Sequence, residues 1–325
     1  MKRQMLVMVL VCMLSLTMAV PSFAMGGQKD KRAVVLAAFG TSYPSALNGI
    51  LNIREQIQKA FPGLEVRLAF TSNIIRNIWH ERQKDKQFIG KHPDIPRDVL
   101  FVKGPLAAIA ELQDEGYRTI IVQSTHIYDG EEYTDLCSYL RGLNSIRTIK
   151  AKYRPFEKLV AGRPALGKNG PEPDYHEDMA EAAKALRADV EMAKERGAAL
   201  VYMGHGNETY STGVYAEFQK VMRKTYPGVG IFVGTVEGFP SREDVLFSLK
   251  HAGIRKVILK PFMVVAGDHA RNDMAGSEED SWKSVFEREG IRVTCVIQGL
   301  GENPEWAKIY LRHMMDAARA NGISL

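Results

Sequence analysis

The sequence is poor in cysteine, with three in 325 residues, and none falls in a C-x-x-C pair. That spacing excludes a disulfide-stapled miniature fold and a zinc-ribbon reading. Cys12 lies in the apolar N-terminal stretch, and Cys137 and Cys295 are far apart, so both read as buried thiols. There is no G-x-x-x-x-G-K-[ST] phosphate loop, so any reaction has to run without a nucleotide held in that way. No stripe of Lys and Arg interleaved with aromatics appears, which leaves nucleic-acid binding without support. Beyond the first twenty or so residues no apolar run reaches membrane-spanning length, so no stable span is expected in the processed protein.

The N-terminus carries a different signal. Lys2 and Arg3 head an apolar run from Met5 to Val20, and Ser22-Phe23-Ala24 supplies small residues where a signal peptidase reads them. This pattern reads as a cleaved secretory signal over residues 1–24 and predicts a periplasmic or otherwise extracytoplasmic protein. The formal charge of +5 falls to +3 without Lys2 and Arg3.

The rest alternates short apolar runs with longer amphipathic stretches, the signature of parallel βαβ units. RAVVLAAF (32–39) reads as a buried strand and Ser45–Ala60 as a helix closed by Pro62-Gly63. Strands follow at 64–70, 119–123 and 158–161, then a Gly/Pro-rich loop at 163–175 and a helix over 176–196. The series then restarts with strands at 198–203, 230–234, 256–260 and 293–297, helices at 213–226 and 306–320, and another Pro-Gly break at 227–228.

The restart is a diverged repeat. A shift of 164 residues superposes Gly40 on Gly204, Thr41 on His205, Thr71 on Thr235 and Asn73 on Glu237. A shift of 137 superposes Gly130 on Gly267 and Glu132 on His269, and one of 134 superposes Leu166-Gly167 on Leu300-Gly301. Three blocks in one order imply two similar α/β domains, 29–196 and 197–325, with parallel sheets facing a central cleft. Ligands of such sheets bind beyond the carboxyl ends of the strands, where all of these positions fall.

Those strand ends read Thr41, Asn73 and Glu132 in the first half and His205, Glu237 and His269 in the second. Two imidazoles and a carboxylate suit Co²⁺, Fe²⁺, Ni²⁺ or Zn²⁺ with coordination positions left open. Either histidine alone reads more readily as a packed core or loop residue than as a ligand. At equivalent positions and with Glu237 they read as a metal site. His126, at a first-half strand end, reads either as cleft lining or as a packed histidine. Arg54, Arg76 and Arg271 are candidates for carboxylate binding, and Trp79, Phe262 and Met263 for contact with a flat ligand.

Gly204-His205-Gly206, Val236-Glu237 and Val265-Ala266-Gly267-Asp268-His269-Ala270-Arg271-Asn272-Asp273-Met274 resemble the anaerobic sirohydrochlorin cobaltochelatases of the cobalamin pathway. Phe39-Gly40-Thr41-Ser42-Tyr43, Gln123-Ser124-Thr125-His126-Ile127 and Gly299-Leu300-Gly301-Glu302-Asn303-Pro304 are similar too. The resemblance spans nearly all of the chain after the signal. It implies a class II, ATP-independent chelatase related to ferrochelatase, with two Rossmann-like domains around a cleft for sirohydrochlorin. It also implies a metal site at His205, Glu237 and His269, with Co²⁺ preferred and Fe²⁺ accepted as the inserted ion. The rival expectation is an exported, non-enzymatic carrier of metal or tetrapyrrole.

The segment 83–96 is longer than the resemblance leads one to expect. Within it His92 precedes Pro93, which disfavours helix there and predicts an exposed imidazole with no packing role. In a symmetric homo-oligomer two such imidazoles would be able to hold a haem iron between subunits.

Overall fold

The computed structural model describes residues 31–170 and 173–325. The expected signal over residues 1–24 lies outside the described residues.

The first half runs β1 (Lys31–Ala38), α1 (Leu47–Ala60), β2 (Glu65–Phe70), α2 (Asn73–Arg82), α3 (Lys86–Lys91), α4 (Arg97–Leu100), α5 (Pro105–Asp114), β3 (Tyr117–Ser124), α6 (Glu131–Asn144) and β4 (Lys158–Gly162). Helices α7 (Tyr175–Ala185) and α8 (Arg187–Glu195) lead into the second half. That half comprises β5 (Ala199–Gly206), α9 (Gly213–Thr225), β6 (Ile231–Glu237), α10 (Arg242–His251), β7 (Lys256–Phe262), α11 (Trp282–Arg288), β8 (Arg292–Cys295) and α12 (Pro304–Ala320).

The two sheets have the same all-parallel order, β2-β1-β3-β4 and β6-β5-β7-β8. The repeat read from the sequence is thus a repeat of topology. β1, β3, β5 and β7 are the central strands, and each is built around a buried apolar run because helices cover both of their faces.

The halves share a core. One cluster of buried side chains runs from Val34, Leu36 and Phe70 through Tyr202 and Phe262 to Trp306 and Tyr310. Residues 31–325 form one compact unit, and packing crosses the 196/197 division expected from the sequence. α8 packs on β5, where Asp189 accepts from Tyr202 Oη (2.7 Å) and from Lys260 Nζ (2.5 Å). α12 returns to β3 and β4, and Tyr310 Oη donates to the carbonyl of Thr125 at 2.9 Å. The helix expected over 176–196 breaks at Leu186 (φ −93°, ψ 10°). Leu186 is fully buried there, and α7 goes on to pack against α9 while α8 turns to β5.

Segment 83–96 is partly helical. His92 caps α3 and is half-buried, with its ring 4.6 Å from that of Phe88. The expectation of an exposed imidazole without a packing role is therefore corrected: His92 packs on Phe88 one turn earlier in its own helix.

Candidate active site

The strand ends of the two sheets converge on a cavity of about 460 Å³. Phe39 and Thr41 enter it after β1, His126 after β3, His205 from β5, and Met263 and His269 after β7. Ile74, Ile75 and Ile78 on α2 form one wall, and Ile74 is 74% exposed at the lip. The lining is mostly aliphatic and aromatic, with no Lys or Arg.

His205 and His269 face each other, with ring centroids 4.8 Å apart and planes at 83°. The Nδ1 of each is engaged. His205 Nδ1 lies 3.1 Å from the Gly206 carbonyl, and His269 Nδ1 lies 2.5 Å from Asp273 Oδ2. Both partners only accept, so both Nδ1 atoms carry the proton. The Nε2 lone pairs are then available to a metal, the arrangement that orients metal-ligating histidines. Asp273 is a partner the sequence reading missed. Its signal was its place one turn after His269 in the same motif.

Four of the six repeat positions line the cavity: Thr41, Glu132, His205 and His269. Asn73 and Glu237 do not. Glu237 ends the edge strand β6, and Asn73 opens α2 after the edge strand β2, where its side-chain oxygen accepts from Arg76. Among the described residues no three His, Cys, Asp or Glu side chains converge at metal-holding distance. The pair of histidines is assembled, and Glu237 stands beside it. Its carbonyl accepts from Asn207 N at 3.1 Å, and its charge reaches Tyr128, a cavity-lining residue. Burial first, and then Glu132, Glu131 and Glu237, push the Tyr128 phenol well above its usual range.

Gly206 makes this junction possible. It has φ +82°, and a Cβ there would lie 1.7 Å from the Glu237 carbonyl oxygen, so only glycine lets β5 and β6 close at this point.

His126 lines the cavity as one of its two expectations had it. Its Nδ1 is 2.8 Å from Ser124 Oγ, and dehydration pulls its pKa down to about 4, so it is neutral at ordinary pH. Phe262 and Met263 line the cavity, whereas Trp79 is wholly buried and donates from Nε1 to the Thr41 carbonyl at 2.8 Å, holding that loop from behind.

The arginine expectations divide. Arg54 pairs with Asp98, and Arg76 spends its guanidinium on the carbonyls of Phe70 and Thr71. Arg271 reaches across the halves, with Nη2 donating to Ser45 Oγ at 3.0 Å and the guanidinium 5.1 Å from the Tyr43 ring centre. Tyr43 Oη in turn donates to Asp268 at 3.0 Å. Cys137 and Cys295 are both free thiols.

The cobalt chelatase (CbiK) family model matches residues 32–319. The sirohydrochlorin cobaltochelatase of Salmonella typhimurium is 31% identical over 290 residues, covering 88% of this chain and 96% of that protein. Sirohydrochlorin cobaltochelatase CbiKC of Nitratidesulfovibrio vulgaris is 30% identical over 292 residues, covering 89% and 92%. SirB from Bacillus subtilis with Fe³⁺ shares the fold, with a TM-score of 0.54 at 12% identity over 90% of this chain and 98% of SirB. The sirohydrochlorin chelatase SirB of Bacillus subtilis subspecies spizizenii in complex with cobalt superposes equally well, with a TM-score of 0.54 at 11% identity over 90% and 97% of the two chains. With a family match over nearly all of the described chain, and with the motif histidines paired at the cavity, the chain belongs to the cobalt chelatase (CbiK) family.

Proposed function

We propose that this protein inserts a divalent metal, Co²⁺ in preference and Fe²⁺ as a second ion, into sirohydrochlorin or a closely related tetrapyrrole without ATP. The observation that carries the reading is the facing pair His205 and His269, each with Nδ1 held by an acceptor and Nε2 left for a metal. Insertion exchanges one M²⁺ for the two inner N–H protons of the macrocycle. A two-histidine site holds the ion loosely enough to give it up, because pyrrole nitrogens replace water first and imidazole afterwards. Glu132 in the cavity wall and Glu237 beside it are carboxylates in position to offset the metal charge and take protons.

The aliphatic wall of Ile74, Ile75 and Ile78 suits the flat face of the ring. No Lys or Arg is among the residues that line the cavity, and Arg271, which packs on Tyr43 next to the lining residue Ser42, is a candidate to meet an acid side chain of the macrocycle. The N-terminal pattern of residues 1–24 supports reading this chemistry as extracytoplasmic. The deciding experiment follows sirohydrochlorin absorbance with Co²⁺ and a catalytic amount of protein, with no nucleotide present. Many turnovers per protein support insertion, and a single stoichiometric change would instead make the protein a carrier.

A further inference from the structure

The end of the first sheet remote from the cavity carries a feature that metal insertion does not use. α6 starts at the cavity wall with Glu132 and runs back against β4. Its far end and the connection into β4 therefore lie at the opposite edge of the sheet. Between Leu136 and Phe156 the chain has five cations, Arg141, Arg147, Lys150, Lys152 and Arg154, and no Asp or Glu. All five are exposed, and none forms an ion pair among the described residues. Glu157, the first acid beyond them, is held by Arg118 at 2.8 Å.

Apolar side chains, two of them aromatic, stand among these charges, so this segment is a basic run with aromatics that the sequence reading passed over. Ile149 is fully exposed at 105%, Tyr153 is 61% exposed, and Ile146 and Tyr139 are 43% and 42% exposed. The loop is built rather than loose. Arg147 Nη1 donates to the Asn144 carbonyl at 2.8 Å, Thr148 Oγ1 donates to the Lys150 carbonyl at 2.8 Å, and Tyr153 N donates to the same carbonyl at 2.9 Å. A pre-formed loop loses little entropy when it docks.

We propose that this face docks on the surface of an anionic phospholipid bilayer. Ile149 and Ile146 enter the headgroup boundary, Tyr139 and Tyr153 lie at the interface, and the five cations meet lipid phosphates. Charge complementarity selects this occupant. A nucleic acid would also satisfy the cations, but it takes stacked aromatics, and the most exposed side chain here is a branched aliphatic. A second copy would set like charges against each other. Attachment is peripheral, since among the described residues no helix is long and apolar enough to cross a membrane. Docking by this edge leaves the cavity, at the other end of the strands, open to water.

The test uses the chain from Met25 to Leu325, because the apolar run Met5–Val20 would enter a bilayer by itself and residues 31–325 form one compact unit. Co-sedimentation is measured with mixed phosphatidylglycerol–phosphatidylcholine vesicles and with pure phosphatidylcholine vesicles. Binding is expected to the anionic vesicles alone and to weaken with salt. Neutralising two charges, Lys150→Gln with Lys152→Gln, is expected to weaken it about thirtyfold. Ile149→Ser with Ile146→Ser is expected to weaken it at unchanged salt, and all four changes leave metal insertion in solution as it was. Equal binding to both vesicle types, or undiminished binding in both double variants, overturns the proposal. So does tighter binding to a single-stranded polynucleotide that the same variants abolish.

Discussion

His269 Nδ1 and Asp273 Oδ2 lie 2.5 Å apart, bridging one turn of the short π-helical segment Ala270–Met274. The carboxylate fixes the tautomer of the imidazole and the orientation of its ring, so on the proposed reading it would tune metal binding through His269. Asp273→Ala is expected to lower metal insertion by about 10- to 100-fold, with Asp273→Asn losing less because the amide oxygen still accepts. Turnover with Co²⁺ and sirohydrochlorin measures this, and equal rates in the wild type and the alanine variant would remove Asp273 from the site.

The edge-strand position of Glu237 predicts a graded series. His205→Ala and His269→Ala are each expected to abolish metal insertion or reduce it by at least about 100-fold, since each removes half of the assembled pair. Glu237→Gln is expected to cost roughly tenfold, because the carboxylate assists from beside the cavity. Thr41→Ala is expected to cost least. Near-normal turnover in both histidine variants contradicts the assignment.

Acid stability should report on His126. Its folded pKa of about 4 lies below the usual 6.5, because burial disfavours the imidazolium. The native state therefore resists protonation while the unfolded chain accepts it. The stability this neutral histidine contributes is complete above pH 6.5 and is lost as the pH falls from 6.5 through 4, by up to about 3 kcal/mol. Asp178 acts in a lower window. Burial opposes its charge, but Arg163 and His313 outweigh burial and hold its pKa at about 2, so its contribution persists down to about pH 4 and fades below. Urea titrations across this range should show His126→Gln flatter than wild type between pH 6.5 and 4. Parallel curves would mean that His126 is solvated.

Gly206→Ala should damage fold and site together. The change sets a Cβ against the Glu237 carbonyl in a left-handed conformation that by itself costs about 1–2 kcal/mol. Lower thermal stability with lost turnover is expected. Gly63→Ala, also at positive φ but with open space around the added carbon, is expected to cost only the conformational part. Equal losses in the two variants would rule out the clash.

The leader pattern predicts that the native protein begins near Met25 and fractionates outside the cytoplasm. N-terminal sequencing of protein purified from its source decides this. A chain beginning at Met1 in the cytosol refutes it.

Much of the architecture was legible in the residues, because the parallel sheets are buried on both faces. Each of β1, β3, β5 and β7 therefore contains a continuous apolar run, and Pro62-Gly63 and Pro227-Gly228 punctuate the helices between them. The repeat of two halves, and the placing of His205 and His269 at strand ends, followed from the same local patterns. What local pattern cannot carry is order across a sheet and exchange between halves. Glu237 stands as near in sequence logic to the site as His269 does, yet it ends an edge strand, while His205 lies near the end of the central strand β5 and His269 in the segment that follows the central strand β7. α12 follows the second half in the chain yet packs on the first sheet, and His92 follows a polar rule for exposure yet packs on Phe88. The order of residues by itself determined which segments would be strands and which side chains would be found at their ends. Only the tertiary structure decided which of those ends meet, because hydrogen-bond pairing between strands and the burial of helix faces are settled by partners far away in the chain.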